Sequence, residues 1–141
     1  MGDDIASGDW RNYSLKAYRF SNVGTSNLSV LVGLKAALDF SRALGEERIH
    51  ARIHRLATQV RERIGGYRQL RLANASGDGF YAGMVSFEPL TGDLKRVADQ
   101  CIARRIRIGG GGERIRISTH IFTQPAELDA FFDALDAGLR S

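Results

Sequence analysis

The sequence has little cysteine, proline or lysine, and it has no long apolar run. Its single cysteine, Cys101, excludes an internal disulfide and any zinc site built from cysteines alone. Without about 18 consecutive apolar residues there is no candidate for a transmembrane helix. The acidic, polar start MGDDIASGDW is unlike a secretory signal, and a lone cysteine permits a reducing compartment. We therefore expect a cytoplasmic protein that has no membrane partner.

Arginine supplies most of the charge. The chain has 20 basic and 16 acidic residues, a net charge of +4, and Lys16, Lys35 and Lys95 are its only lysines. A basic protein can bind nucleic acid or an anionic small molecule. The arginines are dispersed and never form a block, which favours a solvated surface over a nucleic-acid-binding face.

Apolar spacing predicts two consecutive helices in the first half of the chain. Leucines recur at intervals of three and four between residues 27 and 44, and Ser26 or Asn27 can cap the first turn. Gly45 interrupts this pattern, and a second helix is predicted from residue 46 to residue 64, before two glycines. The predicted inner stripes are Leu31, Leu34 and Leu38, then Ile49, Ile53, Leu56, Val60 and Ile64.

The second half alternates between strand and helix patterns. Strands are predicted at 70–73, 81–87, 105–108 and 114–118, the last two being strict arginine–isoleucine alternations around four glycines that suggest a hairpin. Two further helices are predicted, one over 93–104 and one that begins near Pro125. The complete order predicts an α+β fold, a small and mostly antiparallel sheet of about four strands covered by about four helices.

A turn before the first helix is a candidate phosphate site. Gly24, Thr25, Ser26 and Asn27 lie directly before the helix, where unpaired N–H groups and the helix dipole favour an anion. A glycine allows close approach, and the two hydroxyls can donate hydrogen bonds. The same residues also form an ordinary N-cap turn, and taken alone they favour that interpretation.

Two arginines on one face of the last predicted strand are candidate carboxylate ligands. A planar guanidinium binds a carboxylate through two parallel hydrogen bonds, so either Arg114 or Arg116 could hold an amino-acid carboxylate. A solvated strand face is the alternative interpretation.

The other reactive residues predict no chemistry. His50 and His54 are one helical turn apart, but no third ligand follows them, so we interpret them as a solvent-facing pair. Residues 109–112 are all glycine but lack the lysine and following helix of a phosphate-binding loop. We assign no catalytic residue and no metal ligand.

Four stretches, taken in order, carry a family resemblance: RF…GTSN at 19–27, GLKAALDF…LG at 33–45, GMVSF at 83–87, and RIRISTHIFTQPAELDAFFDAL at 114–135. Together they resemble the C-terminal small domain of class V aminotransferase-family enzymes. These are fold type I, pyridoxal-phosphate-dependent proteins that include cysteine desulfurases, selenocysteine lyases and isopenicillin N epimerase-like proteins. The resemblance implies a leading segment at 1–18 and a small domain at 19–141.

The resemblance also implies site residues. Gly24 and Thr25 would lie at a homodimer interface and touch the cofactor phosphate, which the other protomer mainly holds. Arg116, followed by Ser118, would bind the substrate α-carboxylate. Two departures, Ser21-Asn22-Val23 and the IFTQ that follows His120, favour an epimerase-like or lyase-like branch over a desulfurase.

In the family, the lysine that carries the cofactor belongs to a large domain that precedes this region. None of the three lysines here has a suitable context, and without one the cofactor has no covalent anchor. We therefore expect this chain to be inactive alone, with pyridoxal 5'-phosphate bound only in a longer enzyme that has an amino-acid substrate. The alternative is an independent basic α+β module that binds nucleic acid or a protein partner.

Overall fold

A computed structural model describes residues 27–140. The chain divides into two compact units, Met1–Phe40 and Ser41–Ser141. The predicted leading segment 1–18, together with Gly24 and Thr25, lies outside the described residues.

The first helix, α1, spans Leu28–Leu44. Its N-cap is Asn27, whose Oδ1 accepts a hydrogen bond from the Val30 N–H at 3.3 Å, as predicted for one of the two candidates. Lys35 and Asp39 form an exposed ion pair at 2.5 Å. The predicted apolar stripe lies on this helix but is not buried: Leu31, Leu34 and Leu38 are each about half exposed.

The second unit contains three helices and a four-stranded sheet. The elements are α2 (Glu46–Gly65), β1 (Leu70–Leu72), a short 3-10 helix (Asp78–Phe80), β2 (Met84–Pro89), α3 (Lys95–Ala103), β3 (Gly109–Gly110), β4 (Ile115–Ser118) and α4 (Pro125–Arg140). The strands are ordered β1-β2-β4-β3, and every neighbouring pair is antiparallel. With α1, residues 27–140 hold four α-helices and one antiparallel sheet, which confirms the predicted α+β class.

One face of the sheet forms the hydrophobic core with α2, α3 and α4. Alternate residues of β2 and β4 are fully or nearly fully buried there, with their neighbours along each strand on the opposite face. Phe87 meets Phe131 edge-to-face at 6.3 Å between ring centroids. The buried helical side chains are Leu56, Ala57, Val60 and Ile64 of α2, Val97 and Cys101 of α3, and Leu128, Phe131, Phe132, Ala134 and Leu135 of α4.

Helix α4 begins as the sequence predicts. Pro125 occupies the first helical position, where its missing N–H costs no hydrogen bond. The Glu127 carboxylate accepts a hydrogen bond from the Gln124 N–H at 2.8 Å, the back-reaching half of a capping box. Gly138 is buried further along this helix, where it lies against the backbone of Val97 in α3.

The prediction of a strand at 105–108 is wrong: Arg105 and Ile106 close helix α3, and residues 107–108 form no regular element. The Arg105 N–H donates to the Ile102 carbonyl at 3.0 Å, and the Ile106 N–H donates to the Cys101 carbonyl at 2.8 Å. Arg105 has a φ of 59°, so this pair of bonds forms the Schellman motif that closes many helices. Regular pairing therefore begins only at Gly109.

Within residues 27–140, none of the helices combines the length and the apolar character needed to cross a bilayer.

Candidate functional site

The second face of the sheet carries the polar residues of β2 and β4. The register places Ser86 opposite Arg116 and Met84 opposite Ser118 on this face. Arg116 and Ser118 are exposed, whereas their neighbours Ile115 and Ile117 are buried. The strict alternation in the sequence therefore does divide arginine from isoleucine in β4, and it leaves a row of polar side chains accessible.

Arg114 is neutralised by an acidic neighbour on this face. Its Nη2 lies 3.0 Å from Oε2 of Glu88, and its Nε lies 3.3 Å from the same oxygen. Arg71 of β1 contacts the other oxygen of Glu88 at 2.5 Å. The hydrogen bond from Arg114, aided by the charge of Arg71, lowers the pKa of Glu88. The Glu88 carboxylate of β2 thus lies between the guanidinium of Arg71 in β1 and that of Arg114, the residue before β4.

Arg116 is placed differently from Arg114. Within residues 27–140, no carboxylate is recorded in an ion pair with it. Its guanidinium lies beside the edge strand, over Gly109, its register partner in β3. A Cβ added to Gly109 would lie 2.8 Å from Nε and 3.0 Å from Nη2 of Arg116. Arg116 is therefore the arginine of β4 that the described residues leave available to an incoming carboxylate.

A cleft of about 350 Å³ adjoins the C-terminal end of β4, where Ser118 lies. It lies between residues 105–107, which do not pair with β4, and the end of β4. Basic and hydroxyl side chains line it together with apolar residues of α4; the polar members are Arg105, Arg107, Ser118, Thr123 and Glu127.

The histidine pair lies by a second cleft, of about 450 Å³. His50 is exposed, but the prediction of a solvent-facing pair is wrong for His54, which is partly buried and stacks on Tyr81 with ring centroids 4.6 Å apart. The Tyr81 hydroxyl lies 2.7 Å from the Thr58 hydroxyl, and Arg61 covers the Tyr81 ring at 4.1 Å. Ring packing explains the position of His54, and within the described residues no group of three metal-ligating side chains forms.

Sequence reasoning singled out Arg116 but missed Glu88 and Gly109. The alternation of GMVSFEP was a usable signal for Glu88, because Met84, Ser86 and Glu88 share one face of a strand. For Gly109 no local signal exists, since its role depends on which residue the sheet register places opposite it. Gly24 and Thr25, the predicted phosphate contacts, lie outside the described residues.

An antiparallel sheet with helices on one face and polar side chains on the other defines a small α+β domain. The sequence comparison is more specific. The family model described as Aminotransferase class-V matches residues 4–131, so the chain belongs to the class V aminotransferase family. This confirms the resemblance identified in the sequence.

Two known proteins illustrate the relationship. Isopenicillin N epimerase of Amycolatopsis lactamdurans is 28% identical over 118 residues, which cover 79% of this chain and 30% of that protein. The crystal structure of the cysteine desulfurase CsdA from Escherichia coli superposes with a TM-score of 0.68 at 18% identity, covering 84% of this chain and 32% of the other. The second comparison shows a shared fold alone. The chain thus spans about a third of the length of either protein.

Proposed function

We propose that this chain is the small-domain part of a pyridoxal-phosphate-dependent enzyme that acts on an amino acid, and that Arg116 binds the α-carboxylate of the substrate. Membership of the class V aminotransferase family supports the enzyme class. The observation that carries the role of Arg116 is its contrast with Arg114. Glu88 already occupies Arg114 at 3.0 Å, whereas the guanidinium of Arg116 lies over a glycine.

The described residues do not fit the covalent attachment of the cofactor. Lys35 lies on α1 in an ion pair with Asp39, and Lys95 is exposed at the start of α3. Neither lines any of the clefts described above. The contribution we propose for this chain is therefore binding and positioning, with no bond-making step, and we expect it to be inactive by itself. Gly24 and Thr25 remain the proposed contacts to the cofactor phosphate.

The state of the only cysteine favours an epimerase-like or lyase-like reaction over desulfuration. Cys101 is fully buried in α3, and burial raises the pKa of its thiol. A buried, protonated thiol is a poor nucleophile. This chain therefore offers no reactive thiol to accept sulfur from a substrate.

The exposed apolar side chains of α1 support a larger assembly. Apolar residues lie exposed along the helix, and contiguous apolar surface of this kind marks sites of protein association. We propose that a large cofactor-binding domain covers α1 in a cytoplasmic homodimer. The exposed residues are Leu28, Val30, Leu31, Val32, Leu34, Leu38, Phe40 and Leu44.

The experiment compares Arg116→Ala with Arg114→Ala in the full chain. Binding of L-alanine is followed by NMR, with L-alaninamide, which lacks the carboxylate, as the control ligand. We expect Arg116→Ala to weaken L-alanine binding by about tenfold, because a charge-assisted pair is lost. Arg114→Ala should change it by less than about twofold, since that guanidinium is already paired. Equal effects of the two variants would remove Arg116 from its proposed role.

Two further measurements test the enzyme class. Pyridoxal 5'-phosphate added to the chain should not develop the absorbance of a lysine-linked cofactor. A stable absorbance of that kind would contradict the proposal that this chain does not attach the cofactor. Fluorescently labelled DNA and RNA should bind weakly. Binding that falls steeply with salt would instead support an independent nucleic-acid-binding module.

A further inference from the structure

Gly109 lies where the edge strand β3 meets Arg116. The antiparallel register pairs Gly109 directly with Arg116, and Gly110 with Ile115. Among the described glycines, those with positive φ are Gly45, Gly77, Gly92 and Gly110, so the backbone of Gly109 is one that any residue can adopt. Whatever Gly109 contributes therefore comes from its missing side chain rather than from its backbone freedom.

The missing side chain leaves room that the arginine fills. A Cβ on Gly109 would lie 2.8 Å from Nε, 3.0 Å from Nη2 and 3.2 Å from Cζ of Arg116. Non-bonded heavy atoms normally stay about 3.5–4.0 Å apart. Even a methyl group would displace the guanidinium from its present position. By contrast, a Cβ on Gly111 in the same hairpin would meet nothing within 4 Å.

We propose that Gly109 is a positioning residue for Arg116: by lacking a side chain it lets the guanidinium lie against the edge strand, in one defined orientation. Bidentate recognition depends on the plane of the guanidinium as well as on its charge. Holding a long side chain in advance also reduces the rotamer entropy lost on binding. The identity of the ligand, an amino-acid carboxylate, rests on the proposed function, whereas the position of Arg116 over Gly109 is independent of it.

The test compares Gly109→Ala with Gly111→Ala in the full chain. Each variant adds one methyl group to the same hairpin, and neither glycine has a positive φ. The first readout is the Nε–Hε resonance of Arg116, assigned by its disappearance in Arg116→Lys. We expect this resonance to shift or broaden in Gly109→Ala and to stay unchanged in Gly111→Ala. The thermal midpoint of Gly109→Ala should be no lower than that of the unaltered chain, because alanine is less costly than glycine in a strand.

The second readout is the affinity for L-alanine. Gly109→Ala should weaken it by about threefold through misalignment of one of two hydrogen bonds, and Gly111→Ala should leave it unchanged. In an Arg116→Lys background, Gly109→Ala should have no further effect, because the ammonium group of lysine lacks the planar fork.

The outcomes separate this proposal from the proposed function. In one outcome, the Arg116 resonance responds to Gly109→Ala, but neither Gly109→Ala nor Arg116→Lys changes L-alanine binding. This outcome supports the positioning role and contradicts the carboxylate site. L-Alanine binding that Arg116→Lys weakens and Gly109→Ala leaves intact overturns the positioning role. An unchanged Arg116 resonance in Gly109→Ala overturns it too, and so does a lowered thermal midpoint, which would mark Gly109 as structural.

Discussion

At Gly138, α4 packs directly against the backbone of α3, and this contact provides a sensitive test of the described packing. A Cβ at this position would lie 2.6 Å from Cα and 2.7 Å from N of Val97. Both are backbone atoms, so relief requires the two helices to separate by about 1 Å to reach ordinary contact distances. Overpacking of this kind costs about 1–3 kcal/mol, and rigid backbone neighbours place Gly138→Ala at the upper end. The helix propensity of alanine recovers about 1 kcal/mol. The expected net loss is about 2 kcal/mol.

Urea unfolding and thermal melting measure this loss, and Gly65→Ala is the matched control. Gly65 is also helical, but a Cβ there would meet nothing within 4 Å. Only the propensity term applies, so Gly65→Ala should raise stability by about 1 kcal/mol. Gly138→Ala should lower the melting temperature by about 10 °C in a unit of this size. Equal melting temperatures for the two variants would refute the helix contact described above.

Three further predictions concern the same fold. The Tyr67 hydroxyl donates to the Asp136 carboxylate at 2.6 Å, and burial together with this bond raises the pKa of Tyr67 to about 12. Tyr67→Phe should therefore lower the free energy of unfolding by about 1 kcal/mol at neutral pH. The difference between the two chains should vanish as pH rises from 10 through about 12, because the unaltered chain loses this contribution when Tyr67 ionises. Urea unfolding at several pH values measures the difference, and a difference that persists at high pH would contradict the prediction. Arg105→Gly should stabilise the chain by about 1 kcal/mol in the same assay, because Arg105 has a φ of 59°, whereas Arg104→Gly, at a φ of −93°, should not. The thiol of Cys101 should react with a thiol reagent only after unfolding, and rapid labelling of the native chain would be inconsistent with its burial.

The helices were the most predictable part of the fold. In α2 and α4 a continuous apolar stripe coincides with strong end signals, the glycines at 65–66 and Pro125, so local and tertiary preferences agree. Of the predicted α2 stripe, Leu56, Val60 and Ile64 are buried, whereas Ile49 and Ile53 are only partly buried. In α1 the same type of stripe predicted the helix correctly but not its burial, because burial depends on what else is present to cover it.

The strands were less predictable, because pairing partners are not encoded locally. Residues 105–108 have the same alternation as β4, yet the first two close α3 through hydrogen bonds that no periodicity reveals. Phe80, which directly precedes the predicted strand at 81–87, is 77% exposed at the end of the short 3-10 helix. The candidate site shows the same limit. Arg116 could be singled out from its strand, but its difference from Arg114 depends on Glu88 and Gly109, which only the sheet register brings close.

The order of the strands has a consequence for aggregation. The two edges of the sheet are β1, with three residues, and β3, with two glycines. Exposed strand edges recruit foreign strands, and proteins protect themselves by keeping those edges short. The longer strands β2 and β4 are interior and have neighbours on both sides. Fibril-like stacking of this chain through its sheet should therefore be disfavoured even when the protein is concentrated.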